Sequence, residues 1–261
     1  MYIVDEIIDY LKEEQKENNF AYISCEVLKD FYSEEKLCNK NPNREFTQSK
    51  TKIVPQNIDT PDNRKKINTE VSLNFSSMSF EDLTQHVKNC NQCDLSTSRT
   101  NTVFGEGSIN AELMLIGEGP GKDEDEQGRP FVGKSGQLLT KMLKAMGYDR
   151  SEVFIANIVK CRPPLNRNPH PDEADSCLPI LLRQIEIIKP KVIILLGAVP
   201  LKHLLNKTGI TRIHGEWHEF HGIKTLPTFH PAFLLRDSRQ KKYAWSDLQK
   251  AMKVLGKTHQ R

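Results

Sequence analysis

The chain has 261 residues, 37% of them hydrophobic and 27% charged, with a net charge of +3. No stretch approaches the ~20 consecutive apolar residues of a membrane span, and the acidic start MYIVDEIIDYLKEEQ lacks the basic flank and cleavage site of a secretory signal. These features argue against membrane and exported classes and lead us to expect a bacterial cytosol or nucleoid, where six cysteines suit a metal better than disulfides.

The charge is unevenly spread. Residues 1–80 hold 11 basic and 14 acidic side chains, the remainder 26 and 20. A positive balance on the larger part is compatible with a polyanionic partner. Ile3, Ile7, Ile8 and Leu11 fall at helical spacing, so residues 1–38 read as a short helical appendage. Its Cys25 and Cys38 read as ordinary reduced thiols. Residues 39–80 are polar and carry Pro42, Pro55 and Pro61, the texture of a flexible linker.

From residue 81 to 261 the pattern is that of one folded domain. The apolar runs Glu112–Glu118, Val153–Val159, Lys191–Gly197 and Thr225–His230 predict four strands. Between them, Leu138, Leu139, Met142, Leu143 and Met146 form one helical stripe, and Leu178, Leu181, Leu182, Ile185 and Ile188 another. Strands apolar on both faces, alternating with helices, imply a three-layer α/β/α domain around a mainly parallel four-stranded sheet. Working residues of such sheets gather beyond the carboxyl ends of the strands. Glu118, Asn157 and His230 each close or follow a strand, so these three are expected to converge on one rim.

Two glycine-rich segments need separating. Gly128 to Ser135 (GRPFVGKS) satisfies the phosphate-loop pattern, but an acidic stretch, Lys122 to Gln127, precedes it instead of a strand. ATP binding is not expected. Gly117-Glu118-Gly119-Pro120-Gly121 does leave a strand, and its glycines allow close backbone approach to a flat ligand. Phe131, 13 residues after Glu118, could stack on an aromatic ring.

Cys90 and Cys93 form a C-x2-C pair, whereas Cys161 and Cys177 lie far downstream with 15 residues between them. Four thiols from three segments suit either zinc or an iron–sulfur cluster. Zinc ribbons usually bring two tight pairs; only one is present, so the spacing leans toward a cluster.

The ordered motifs GEGPG, DEQGRPFVGKSG, NIVKCRPP and FHPAFLLR, with these four cysteines, resemble the family-four, iron–sulfur uracil-DNA glycosylases over roughly residues 81–256. The resemblance implies hydrolysis of the deoxyuridine glycosidic bond in DNA, release of uracil, and an abasic site. It implies a 4Fe-4S cluster on Cys90, Cys93, Cys161 and Cys177, and uracil-containing DNA as partner to a monomer. His230 would stabilise the departing base, and Glu118 would position water or offset positive charge on the sugar. Asn157 would read the uracil edge, Phe131 would stack on the base, and the backbone at Gly119 and Pro120 would contact it. Leu234 is expected to be the wedge that fills the vacated stack and Arg236 a phosphate contact. Gly121 stands where another glycosylase family uses a tyrosine against thymine, so thymine exclusion is not assigned. The stretch Pro163–Pro171 lacks the basic run of a sister group that bonds covalently to DNA. Residues 1–80 lie outside the resemblance and are expected to tether a protein partner.

Overall fold

The computed structural model describes residues 75–257; the expected N-terminal helix, Cys25, Cys38 and the linker up to residue 74 lie outside that span. The sheet has strands β1 (Glu106–Gly107), β2 (Leu113–Gly117), β3 (Phe154–Asn157), β4 (Val192–Leu196), β5 (His218–Phe220) and β6 (Ile223–Thr228). Their order across the sheet is β1-β3-β2-β4-β6-β5. The four central strands run parallel, as their apolar runs predict, and β1 and β5 add short antiparallel edges. The sheet is therefore six-stranded rather than four-stranded. Two residues in β1 and three in β5 are too few to show a period, and charged or histidine side chains within them mask the apolar signal.

The helices are α1 (Phe80–Lys88), α2 (Lys122–Gln127), α3 (Lys134–Ala145), α4 (Pro171–Ile188), α5 (Ala198–Leu205), α6 (Ile210–Ile213), α7 (Pro231–Arg236) and α8 (Lys241–Val254). Alternation along the strands divides them into two layers. Leu113 and Leu115 of β2 face a core built with α3, α7 and α8, while Met114 and Ile116 face one built with α1, α4 and α5. The stripe Leu138, Leu139, Met142, Leu143 and Met146 is wholly buried in the first. On α4, Leu181, Ile185 and Ile188 are buried in the second, with Leu178 and Leu182 half-buried beside them. This is the three-layer α/β/α arrangement.

The last residues of the stretch read as linker contact the folded domain. A 3-10 turn at Phe75–Ser77 precedes the helix, and Arg183 of α4 donates two hydrogen bonds to the Met78 carbonyl. Ser79 caps α1 by accepting from the Asp82 amide while Asp82 accepts from the Ser79 amide, a reciprocal pair that fixes the helix start. Ser79, within the polar stretch read as linker, therefore serves as a helix cap.

The chain leaves β2 by α3 to reach β3 on one side, then by α4 to reach β4 on the other. That reversal leaves a crevice at the carboxyl ends of β2, β3 and β4, the place where open α/β sheets bind ligands.

Candidate active site and thiol pocket

A cleft of about 560 Å³ occupies that crevice. Glu118, Gly119, Pro120, Phe131, Asn157, His230 and Arg236 all line it. The three strand tips expected to converge therefore do so.

Asn157 ends β3 directly beside Gly117 of β2 in the parallel register. It is only 2% exposed, and its side-chain Oδ1 has no hydrogen-bond partner. An acceptor buried without a donor costs about 1–3 kcal/mol, so this oxygen is set up for a donor arriving from outside. Gly117 makes the arrangement possible: a Cβ there would lie 2.5 Å from both Asn157 Oδ1 and the Phe131 ring. Phe131 itself sits at φ 52, buried, with its carbonyl pressed against Gly136, where any side chain would collide with it. Its ring lies 5.6 Å from that of His230, tilted by 34°.

His230 caps α7, its Nδ1 accepting from the Ala232 amide at 3.1 Å. Because an amide only donates, Nδ1 carries no proton, and the neutral ring must carry its proton on Nε2. Burial, helped by the Arg236 charge, lowers the His230 pKa to about 4. The ring is therefore neutral at physiological pH although it keeps some exposure to the cleft. Burial alone raises the pKa of Glu118 from its ordinary value. Its backbone carbonyl accepts from the Val159 amide, which prolongs the β2–β3 ladder beyond the strand ends and holds the carboxylate at the rim.

The phosphate-loop pattern resolves as expected. Gly128 ends helix α2 in a left-handed conformation, so the loop leaves a helix and not a strand. Glu124 already occupies its amides: one carboxylate oxygen accepts from Val132 and Gly133, the other from Gly121.

A second site lies on the far side of Asn157. Cys90, Cys93, Cys161 and Cys177 line one small pocket with Val87, Arg99, Lys160 and Ile180 among its walls. Arg99 donates to Cys161 Sγ at 3.2 Å, and the Lys160 amide donates to Cys177 Sγ at 3.3 Å. Burial raises the pKa of Cys93 and Cys161, and pushes that of Cys177 up to about 12. Among the described residues no three His, Cys, Asp or Glu side chains draw together as ligands of a single ion; the thiols ring a pocket instead. Lys160 joins the two sites. Its ammonium, 1% exposed, donates to the Asn157 carbonyl at 2.9 Å and to Gln184 Oε1 at 2.7 Å. Burial lowers its pKa to about 8, against the opposing pull of Cys177 and Cys161.

Comparison with known proteins agrees with this geometry. Residues 104–249 match the family model of the uracil DNA glycosylase superfamily. A type-4 uracil-DNA glycosylase of Thermotoga maritima is 44% identical over 68% of this chain and 95% of its own length. That of Sulfurisphaera tokodaii is 44% identical over 66% of this chain and 83% of its own, and that of Archaeoglobus fulgidus 39% over 69% and 94%. The chain belongs to the type-4 branch of the uracil DNA glycosylase superfamily.

One expected site residue of this family member is misplaced. Leu234 is 0% exposed, packed in the core under α7, and does not line the cleft. It cannot reach DNA without unpacking the helix. The six-residue α7 explains the error: Leu234 and Leu235 are adjacent, and the helical turn sends the first inward and leaves the second half-buried. Sequence reasoning missed Glu124, Gly136, Arg99 and Lys160. Glu124 stands three residues into α2, the position where a carboxylate commonly accepts from the amide before the helix. Gly136, one residue past the phosphate-loop pattern, gives no sign in sequence of the backbone that presses against it. A lysine beside a cysteine ligand candidate reads as surface until its burial is seen.

Proposed function

We propose that this chain hydrolyses the N-glycosidic bond of deoxyuridine in DNA, releasing uracil and leaving an abasic site. The observation that carries this reading is the buried, unpartnered Asn157 Oδ1 at the cleft. Uracil presents N3–H to such an acceptor. Cytosine presents a bare N3 lone pair there, leaving two acceptors face to face.

The remaining roles follow from charge. As the C1′–N1 bond breaks, its electron pair leaves with uracil and the sugar gains positive character. His230, neutral with its proton on Nε2, donates a hydrogen bond to uracil O2 and stabilises the anion without surrendering the proton. Glu118, ionised, offsets the sugar charge and accepts a proton from the water whose oxygen bonds to C1′. Phe131 supplies a flat apolar floor for the base, and the backbone at Gly119 and Pro120 closes over it. Arg236, which lines the cleft, would meet a DNA phosphate.

Cys90, Cys93, Cys161 and Cys177 would hold a 4Fe-4S cluster. Four thiols around one pocket, two of them accepting N–H hydrogen bonds, match the donor set of such a group. When bound, the cluster supplies a cross-link between three distant chain segments. We read the setting as the cytosol, where cysteines stay reduced and available to a cluster. We read the enzyme as a monomer, and residues 1–80, acidic in balance, as a tether for a protein partner.

The test is a uracil-containing oligonucleotide incubated with the protein and then treated with alkali. Breakage at the uracil position only after alkali is expected. DNA that stays intact would overturn the reading and favour a non-catalytic DNA-binding protein.

A further inference from the structure

Leu165 is disfavoured twice in the free protein. Its side chain is 95% exposed, and its backbone is held left-handed at φ 56, ψ 21. An exposed leucine gains nothing from burial, and glycine would adopt that conformation without steric cost. The other large exposed hydrophobic residues among those described, Ile109, Trp217, Tyr243 and Val254, are 37–45% exposed, and none lies between residues that line the cleft, as Leu165 does between Pro163 and Asn166.

Leu165 projects from the rim of the cleft. Its neighbours Pro163, Asn166, Arg167 and Asn168 line the cleft together with Phe233 and Arg236 of α7. The loop is also braced. Asn166 and Arg167 donate backbone bonds to the carbonyls of Pro163 and Pro164. Arg162 holds Asn166 Oδ1 at 2.7 Å, and Arg167 pairs with both carboxylate oxygens of the buried Glu173 at 2.8 and 2.6 Å. A strained conformation on a braced loop points to a contact made elsewhere.

We propose that Leu165 is the apolar wedge that enters the base stack of double-stranded DNA as the target nucleotide swings into the cleft. This rests on the reading of the cleft as a uracil site. Leu234, the wedge suggested by the sequence, is locked in the core, whereas Leu165 is already exposed. Occupying the gap opposes the return of the base and offsets part of the unstacking cost. A single strand has no paired stack to refill, so the contribution of Leu165 belongs to duplex substrates.

The experiment compares the full chain with its Leu165→Gly and Leu165→Met variants. Single-turnover uracil release is measured from one sequence as a single strand, as a U:A duplex and as a U:G duplex. A 2-aminopurine beside the uracil reports unstacking. Leu165→Gly should slow U:A excision about tenfold more than single-strand excision, U:G falling between them because a mismatch opens more easily. It should also blunt the fluorescence rise, while Leu165→Met restores both. Glycine relieves the backbone, so the melting temperature should not fall, and a folding defect would slow all three substrates alike. Equal losses on single and double strands, or none, would overturn the wedge. Absence of uracil release by the unaltered chain from any strand would instead sink the reading beneath it.

Discussion

The cleft and the thiol pocket are built on opposite sides of the same short stretch, Asn157 to Cys161, yet they treat polar groups in opposite ways. In the cleft, demands are left open: Asn157 Oδ1 has no donor, the Glu118 carboxylate is desolvated without a partner, and His230 turns its protonated nitrogen away from its own backbone contact. In the thiol pocket the sulfurs already receive hydrogen bonds from Arg99 and the Lys160 amide. Unmet polar groups mark the place where a transient ligand must supply the partner. Satisfied ones mark a permanent structure. Lys160 ties the two, since its ammonium fastens the carbonyl of the residue that reads the base.

That contrast can be broken most forcefully at the strand tips. His230→Ala should lower single-turnover excision by roughly 10²–10³-fold, the usual loss when one donor to a developing anion is removed, and should also lower the melting temperature by a few degrees, because the α7 cap is lost with it. Asn157→Asp should cost about 10²-fold on uracil, since a carboxylate cannot donate to O4 while it accepts from N3–H. Unchanged uracil kinetics would contradict the role of Asn157.

The thiol pocket should answer through stability and colour first. The purified protein should be brown, and Cys177→Ala should bleach it and lower the melting temperature, with activity lost as the fold loosens. A colourless, zinc-containing preparation with full activity would contradict the cluster. Leu234→Ala sharpens the same division from the core: a cavity under α7 should cost about 2–5 kcal/mol of stability without changing the ratio of duplex to single-strand excision.

The smallest effect expected is in pH dependence. Glu118 must be ionised to take a proton, and its pKa is raised above 4.5, so activity should fall as pH drops through that raised value. His230, with its pKa near 4, stays neutral over the same range and should not produce a limb near the ordinary histidine value. Glu118→Gln should remove the acid limb from whatever rate remains. A limb near pH 6.5 that vanishes in His230→Gln would contradict the assignment.

Much of this was legible in the sequence because the central strands are apolar on both faces and their ends carry distinctive polar residues. Glu118, Asn157 and His230 could be placed on one rim by topology alone, and the cysteines by their types and spacing. What stayed hidden depends on direction and distance, which one-dimensional patterns do not carry. Leu234 and Leu235 are alike in composition and differ only in where a short helix points them. Gly117 and Gly136 matter for what presses against them. The two edge strands are too short to show a period.

The central claim is that one extruded uracil meets Asn157, His230 and Glu118 together, and a crystal structure of the protein with free uracil tests it most directly. The account predicts the ring between Phe131 and the Gly119–Pro120 turn, with N3 in hydrogen-bond reach of Asn157 Oδ1 and O2 in reach of His230 Nε2. Uracil bound elsewhere, or in this cleft with Asn157 Oδ1 still unpartnered, would contradict it.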